Sequence, residues 1–258
     1  MRSALCVEEE IPIYTAEELA EINLAQVPKH IAFIPDGNRR WAQKSNQYTQ
    51  KRSFGHRSGA DTLIDTVKAA KELGVKVVTF YSFSTENWVR PEEEVEALMW
   101  LFHSYLICNR ETMLEEGIRV GVIGDLSKIP NPAQETILET IEITKECHGI
   151  DMVLAINYGG RDEIRRAMKA IAEKVEEGTL SPYDITENLI SKHMDTHPWG
   201  DPGLLIRTSG EMRISNFLIW QLSYAEFHVV DVLWPEFSSR HLLDAVAAFQ
   251  KRERRLGN

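Results

Sequence analysis

The chain has 258 residues, 43% hydrophobic and 26% charged, which suits one sizeable globular domain and excludes a disordered chain. Its 29 lysines and arginines face 39 aspartates and glutamates. The resulting net charge of −10 argues against wrapping nucleic acid and requires any anionic ligand to meet a local gathering of arginines. Three widely spaced cysteines, Cys6, Cys108 and Cys147, exclude a disulfide framework and a structural zinc site. The glutamate-rich start is unlike a signal peptide and no run approaches the ~20 apolar residues of a membrane helix, so reduced thiols in a cytoplasmic protein are expected.

A short amphipathic helix is expected over residues 15–25, with Thr15 as N-cap and Glu18 at capping-box spacing. Residues 30–34 read as an apolar strand stopped by Pro35, and 58–73 as a helix stopped by Gly74. Residues 75–83 form a second strand. A long helix over 92–108 opens on four glutamates within five residues, suited to the positive end of its dipole. Strands at 118–124 and 152–157 bracket helical sequence at 134–147, and a helix over 161–177 follows. Residues 178–203 have weak periodicity and read as short helices and loops. Residues 204–206 and 227–233 supply a fifth and a sixth strand, and a basic helix over 239–255 closes the chain. Short apolar strands alternating with helices predict an α/β fold. Its mainly parallel central sheet has about six strands covered by helices on both faces. One domain over 30–258, preceded by a segment over 1–29 holding the short helix, is the expected organisation.

Ligands of open α/β sheets bind beyond the carboxyl ends of the strands. In this chain the strand ends lead into arginine, small hydroxyl residues, glycine and a few carboxylates. Asp36, Gly37, Asn38, Arg39, Arg40 and Trp41 come after the first strand, and Ser84, Thr85, Glu86, Asn87, Trp88 and Arg90 after the second. Asn157, Tyr158, Gly159, Gly160 and Arg161 come after the fourth, and Arg207, Thr208, Ser209, Arg213 and Ser215 after the fifth. Guanidinium groups and glycine backbone suit phosphate oxygens. Alone, Asp36 reads first as a cap or turn residue. Among arginines, a carboxylate makes sense when Mg²⁺ bridges it to a phosphate. His56 reads either as a phosphate contact or as a packed residue near a helix start. No GxGxxG, P-loop, HExxH or nucleophile elbow is present. The aromatic and aliphatic residues at 95–107 fit either a helix buried on several sides or one wall of a cavity for a hydrocarbon chain.

Several long segments together resemble the cis-prenyltransferases. Residues 34–41 are similar to the first signature of that family and Phe83 to Pro91 to the second. The run from Arg207 through Met212, Ile214 and Asn216 to Phe217, with Trp220, Gln221, Tyr224, Ala225 and Glu226, is similar to the last. Asn157 to Arg161 and Asp231 to Pro235 also match, and the likeness runs from about His30 to Gly257. The resemblance implies a homodimer of α/β subunits with a hydrophobic tunnel. It implies Mg²⁺-dependent addition of isopentenyl diphosphate to an allylic diphosphate such as farnesyl diphosphate, with cis double bonds. A long-chain product of the undecaprenyl type, the carrier lipid of cell-wall polysaccharide, is the first expectation. A short-chain synthase and a non-catalytic partner subunit are the alternatives. The implied place is the cytoplasm, with transient contact at the inner membrane face to release product.

Carried over by position, Asp36 is the implied metal and diphosphate residue and Glu226 a second metal ligand. Gly37, Asn38, Arg39, Arg40, Arg52 and His56 surround the allylic diphosphate, and Trp41 its hydrocarbon part. Ser84, Thr85, Glu86, Asn87, Trp88 and Arg90 border the reacting centre, while Arg207, Arg213, Ile214 and Ser215 hold isopentenyl diphosphate. Asn87 is the family's suggested proton acceptor; as a neutral amide it is better suited to orient a diphosphate oxygen that takes the proton. Bacterial members commonly carry glycine where this chain has Arg39, which changes the local loop. The run Arg255-Leu256-Gly257 resembles a C-terminal element that reaches the partner's active site.

Overall fold

The computed structural model describes residues 12–44 and 53–252, the side chains of 53–57 excepted. Six strands form one sheet: β1 (His30–Ile34), β2 (Val77–Ser84), β3 (Ile118–Ile123), β4 (Ile150–Tyr158), β5 (Leu204–Arg207) and β6 (Glu226–Val229). Their order is β3-β4-β2-β1-β5-β6, and every neighbouring pair is parallel. β1 is buried at all five positions because both faces are covered. Ile31 and Phe33 join the larger core, and Ala32 and Ile34 the smaller core on the other face. Phe33 stacks on Phe80 at 5.0 Å, and Trp234 and Phe237 close around the pair. The larger core lies under α3 (Ser53–Glu72), α4 (Glu92–Glu115), α5 (Asn131–Thr144) and α8 (Ser239–Gln250). α6 (Gly160–Glu176) follows β4.

Local chemistry accounts for the ends of several elements. Thr15 and Glu18 form the expected capping box, but it starts a helix of only four residues, α1 (Ala16–Leu19). Leu24–Gln26 is a separate 3-10 turn capped by Asn23, and α7 (Glu187–Ser191) is the short helix of the 178–203 region. α4 runs seven residues past the expected 108, since buried Met113 continues its apolar face and Arg110 bonds Thr140 and Glu139. α2 (Asn38–Lys44) occupies a stretch for which no helix was expected. β6 ends at Val229 rather than 233 because the chain turns to bond the β5 loop. Ser209 N–H donates to Val232 O and Gly210 N–H to Val230 O. At the β3 edge, the buried hydroxyl of Thr144 accepts the Val120 N–H at 3.0 Å. No helix among the described residues is long and apolar enough to cross a membrane.

β1 has β2 on one side and β5 on the other, so the chain leaves the centre of the sheet in opposite directions. That switch opens a crevice beyond the carboxyl ends of β1 and β5.

Candidate functional site

Asp36 sits at this crevice, its backbone held by Thr208 and Trp234. Its N–H donates to Thr208 Oγ1 at 2.9 Å, its carbonyl accepts the Thr208 hydroxyl at 2.6 Å, and Trp234 N–H donates to that carbonyl at 3.0 Å. Gly37 follows with φ +110°, and a Cβ there would lie 2.9 Å from Leu233 Cδ2, so only glycine lets the chain turn against this wall. The carboxylate accepts Arg207 Nη2 at 2.8 Å, and Arg40 Nη2 stands 3.4 Å away. Burial opposes its ionisation, but the Arg207 hydrogen bond and the charges of Arg207 and Arg40 outweigh it and hold the carboxyl below the usual range. Asp36 is therefore an anion set among cations, with oxygen lone pairs to offer a hard metal ion.

Arg207 is the last residue of β5 and its side chain is only 3% exposed. It also donates to Ser215 Oγ at 2.9 Å and to the Arg213 carbonyl, while its buried Nε has no partner. Arg40 reaches Ser209 Oγ and lies 3.6 Å from Glu211. Arg213 pairs with Glu211 and is largely exposed, and Ile214 beside it is 38% exposed. Ser215 takes φ 50° and Asn216 φ 64°, both in the left-handed region, which turns the loop back toward the sheet.

Two polar clefts meet at Asp36. The first, about 400 Å³, lies over Gly37, Asn38, Arg39 and Arg40. The second, about 480 Å³, lies over Ser84, Glu86, Asn87, Arg207 and Ser215. Pro35, Asp36 and Arg90 line both. Beneath them is a third space of about 180 Å³, walled by Leu63, Leu98, Phe102, Leu106, Met152 and Leu154. Pro35, Asn38, Asn87 and Arg90 line it too, so it meets both clefts at one point. This arrangement can hold two anionic groups side by side, with an apolar chain running down from between them.

The other expected residues have more varied placements. Asn87 Oδ1 accepts the Ser84 N–H at 3.1 Å. Glu86 accepts Asn216 Nδ2 at 2.7 Å, a bond that helps hold its carboxyl below the usual range against the opposing effect of burial. Thr85 and Trp88 turn toward the start of α6: Trp88 Nε1 donates to Asn157 Oδ1 at 2.7 Å, and Thr85 lies against Gly159. Trp41 is half-buried on α2. Arg52 and the element at 255–257 lie outside the described residues, and so does the side chain of His56, which falls in the first turn of α3.

Glu226, implied as a second metal ligand, lies away from the crevice in this chain. It begins β6 opposite Leu204, whereas the crevice lies past Arg207, three strand steps or roughly 10 Å further on. There it pairs with Arg252. Among the described residues, no three His, Cys, Asp or Glu side chains come together as a metal cage. A Mg²⁺ ion at Asp36 fits the common pattern of one protein carboxylate completed by phosphate oxygens and water. Thr208, already placed after the fifth strand, fixes the Asp36 backbone. In the sequence Glu94 reads only as part of the glutamate run that opens α4, and it pairs with Arg90 at 3.1 Å. The i,i+4 spacing of Arg90 and Glu94 was the available signal.

Residues 34–257 match the family model described as "Putative undecaprenyl diphosphate synthase". The chain is 46% identical over 242 residues to an isoprenyl transferase of Chlamydia caviae, covering 93% of this chain and 97% of that one. Among solved structures, it is similar to lavandulyl diphosphate synthase from Lavandula x intermedia in complex with dimethylallyl diphosphate. That match has a TM-score of 0.87 and 34% identity over 91% of this chain and 100% of the other. It is also similar to a "probable undecaprenyl diphosphate synthase" from Campylobacter jejuni, with a TM-score of 0.74 and 32% identity over 90% and 99% of the two chains.

Proposed function

The chain belongs to the isoprenyl transferase family of undecaprenyl diphosphate synthase, and we propose that it adds isopentenyl diphosphate repeatedly to an allylic diphosphate such as farnesyl diphosphate. The product in this reading has cis double bonds and is a long-chain polyprenyl diphosphate of the undecaprenyl type. The observation that carries it is Asp36 on the wall between two arginine-bearing clefts, both of which share lining residues with an apolar cavity. Two diphosphates and one growing hydrocarbon need those three spaces at one junction.

In each round the allylic C–O bond breaks, the isopentenyl double bond attacks the freed carbon, and a proton leaves to restore a double bond. The displaced group departs as inorganic diphosphate. Charge grows on the departing oxygens, so preorganised cations there lower the barrier. Arg39 and Arg40 stand over the first cleft for the allylic diphosphate, with Gly37 and Asn38 beside them. Arg207 and Ser215 stand over the second for isopentenyl diphosphate, with Arg213 and Ile214 on the same loop. Trp41, Arg52, His56, Thr85 and Trp88 belong to the proposed surroundings of the substrates. A Mg²⁺ ion on Asp36 would supply further positive charge at the diphosphate oxygens. Asn87 spends its carbonyl oxygen on Ser84, which leaves its NH₂ to donate. That favours orienting a diphosphate oxygen over taking the proton itself.

Glu226 keeps a metal role in this reading only if a second copy brings the β6 edge over the cleft. A homodimer of that geometry is part of the proposal, as are cytoplasmic location and contact with a membrane surface at product release. The experiment is incubation with labelled isopentenyl diphosphate and farnesyl diphosphate, with and without Mg²⁺, followed by sizing of the products. Mg²⁺-dependent long chains are expected, and Asp36→Ala should cut incorporation by at least about 100-fold. Products stopping after one addition would favour a short-chain synthase, and no incorporation would reject the reading.

A further inference from the structure

Asn157 is 3% exposed and lines neither polar cleft. β2 and β4 slip register twice near their carboxyl ends, between Tyr81 and Phe83 and between Phe83 and Ser84. Phe83 pairs with Ile156 and Ser84 with Tyr158, so Asn157 is the extra residue. It has φ 47°, a left-handed conformation that asparagine tolerates better than most residues. Both ends of its amide are used. Oδ1 accepts Trp88 Nε1 at 2.7 Å, and Nδ2 donates to the Asp125 carbonyl at 2.6 Å. An indole N–H can only donate and a carbonyl can only accept, so the amide has one orientation and neither Asp nor Leu reproduces it.

Trp88 lies on the 3-10 turn Thr85–Val89, its ring edge-on to Phe83 at 5.1 Å. The same turn carries Asn87, and the N–H of Arg90 donates to the Asn87 carbonyl at 3.1 Å. Both Asn87 and Arg90 face the junction of the clefts and the apolar cavity. Other contacts brace the turn from the same corner. Asn216 holds Glu86, and a Cβ on Gly159 would come within 2.6 Å of Thr85 Oγ1.

We propose that Asn157 is a positioning residue for the condensation: by holding the Trp88 indole it sets where Asn87 and Arg90 stand. This rests on the reading of the clefts as the reaction site. Two residues that act as one unit should show strongly non-additive effects.

The test compares wild type, Asn157→Ala, Trp88→Phe, the double variant and Asn157→Asp in steady-state incorporation, with melting temperatures alongside. Asn157→Ala and Trp88→Phe should each lower kcat about 10-fold, and the double variant should fall no further. Asn157→Asp keeps the acceptor for Trp88 and loses the donor to Asp125. It should melt lower than wild type yet retain more kcat than Asn157→Ala. Multiplicative losses in the double variant would overturn the proposal. So would wild-type kcat in Trp88→Phe, or equal kcat in Asn157→Asp and Asn157→Ala. If Asn157→Ala does not fold, Trp88→Phe and Asn157→Asp still decide. An ¹⁵N-tryptophan spectrum gives a readout independent of turnover. The indole resonance that vanishes in Trp88→Phe should shift in Asn157→Asp, and an unmoved resonance would reject the contact. A wild type that incorporates nothing would sink the functional reading and leave this spectral test standing.

Discussion

His30 shows how one buried side chain ties stability to pH. Its Nε2 accepts the Thr79 hydroxyl at 2.7 Å and its Nδ1–H donates to the Gly200 carbonyl at 2.9 Å, which fixes the neutral tautomer. Burial pushes its pKa down from 6.5 to about 4, against the smaller upward pull of Gly200 and Asp151. The unfolded chain therefore binds more protons between those values. The stability owed to neutral His30 is complete above about pH 6.5 and drains as the pH falls toward 4, by up to about 3 kcal/mol. The denaturant midpoint of wild type should drop across that window, and the difference from His30→Gln should shrink with it. Parallel pH profiles for the two proteins would show that His30 is not the group responsible. Asp36 poses the converse problem. Its removal leaves the buried Arg207 guanidinium without its carboxylate, so Asp36→Ala should lose about 2–4 kcal/mol as well as activity. Asp36→Asn keeps an acceptor for Arg207 and separates the two effects: near-normal melting with activity lost is the expected pair.

At the scale of elements, the close approach of α3 to α2 depends on Gly59. A Cβ there would lie 2.3 Å from Asn38 Oδ1 and 2.9 Å from Trp234 Cδ1, and Trp234 Nε1 donates to the Gly59 carbonyl at 2.6 Å. Alanine would gain about 1 kcal/mol of helix propensity, but the overlap costs about 1–3 kcal/mol unless Asn38 moves. Gly59→Ala should therefore raise KM for the allylic substrate through Asn38 while melting within a few degrees of wild type. An unchanged KM would mean that Asn38 does not serve the first cleft. A contact of this kind joins residues distant in sequence and leaves no periodic trace, so Gly59 gave no signal before folding. The strands were legible for the opposite reason. β1 sits in a sheet covered on both faces, so its apolar run has sharp ends at His30 and Pro35. The far end of α4 was not legible, because past Cys108 it is held by Arg110 and Met113 against other elements rather than by local propensity. In the site, Asp36 and the arginines could be read from their place after strands. The distance between Glu226 and Asp36 could not, because the step from Glu226 to the crevice is set by strand register.

At the scale of the whole molecule, an acidic chain sets Arg39, Arg40, Arg90 and Arg207 around two clefts at one end of the sheet, with an apolar cavity beside them. In the proposed reaction the two polar clefts take the diphosphates and the apolar cavity takes the hydrocarbon. A growing chain must be buried as it lengthens, since each exposed methylene costs about 0.8 kcal/mol. In that reading its first units would lie at the mouth beside Pro35, Asn87 and Arg90, and later ones would pass Leu98 and Phe102 toward Met152 and Leu154. Leu154 is four strand positions back from Tyr158, roughly 13 Å below the carboxyl end of β4. It is 4% exposed and lines the cavity without touching either cleft. Filling this position should stop elongation without disturbing the first addition. Leu154→Trp should thus give shorter products, with a single-turnover rate for the first condensation within about threefold of wild type. Overpacking costs about 1–3 kcal/mol, so the assay temperature should stay well below the melting point of the variant. Leu106→Ala works in the other direction: it enlarges the same cavity from α4, at about 2–5 kcal/mol of stability, and should lengthen the products. If both variants gave the wild-type product distribution, the hydrocarbon would have to leave by another route. If Leu154→Trp lost the first condensation as well, the cavity would be part of the primer site rather than the ruler for the product.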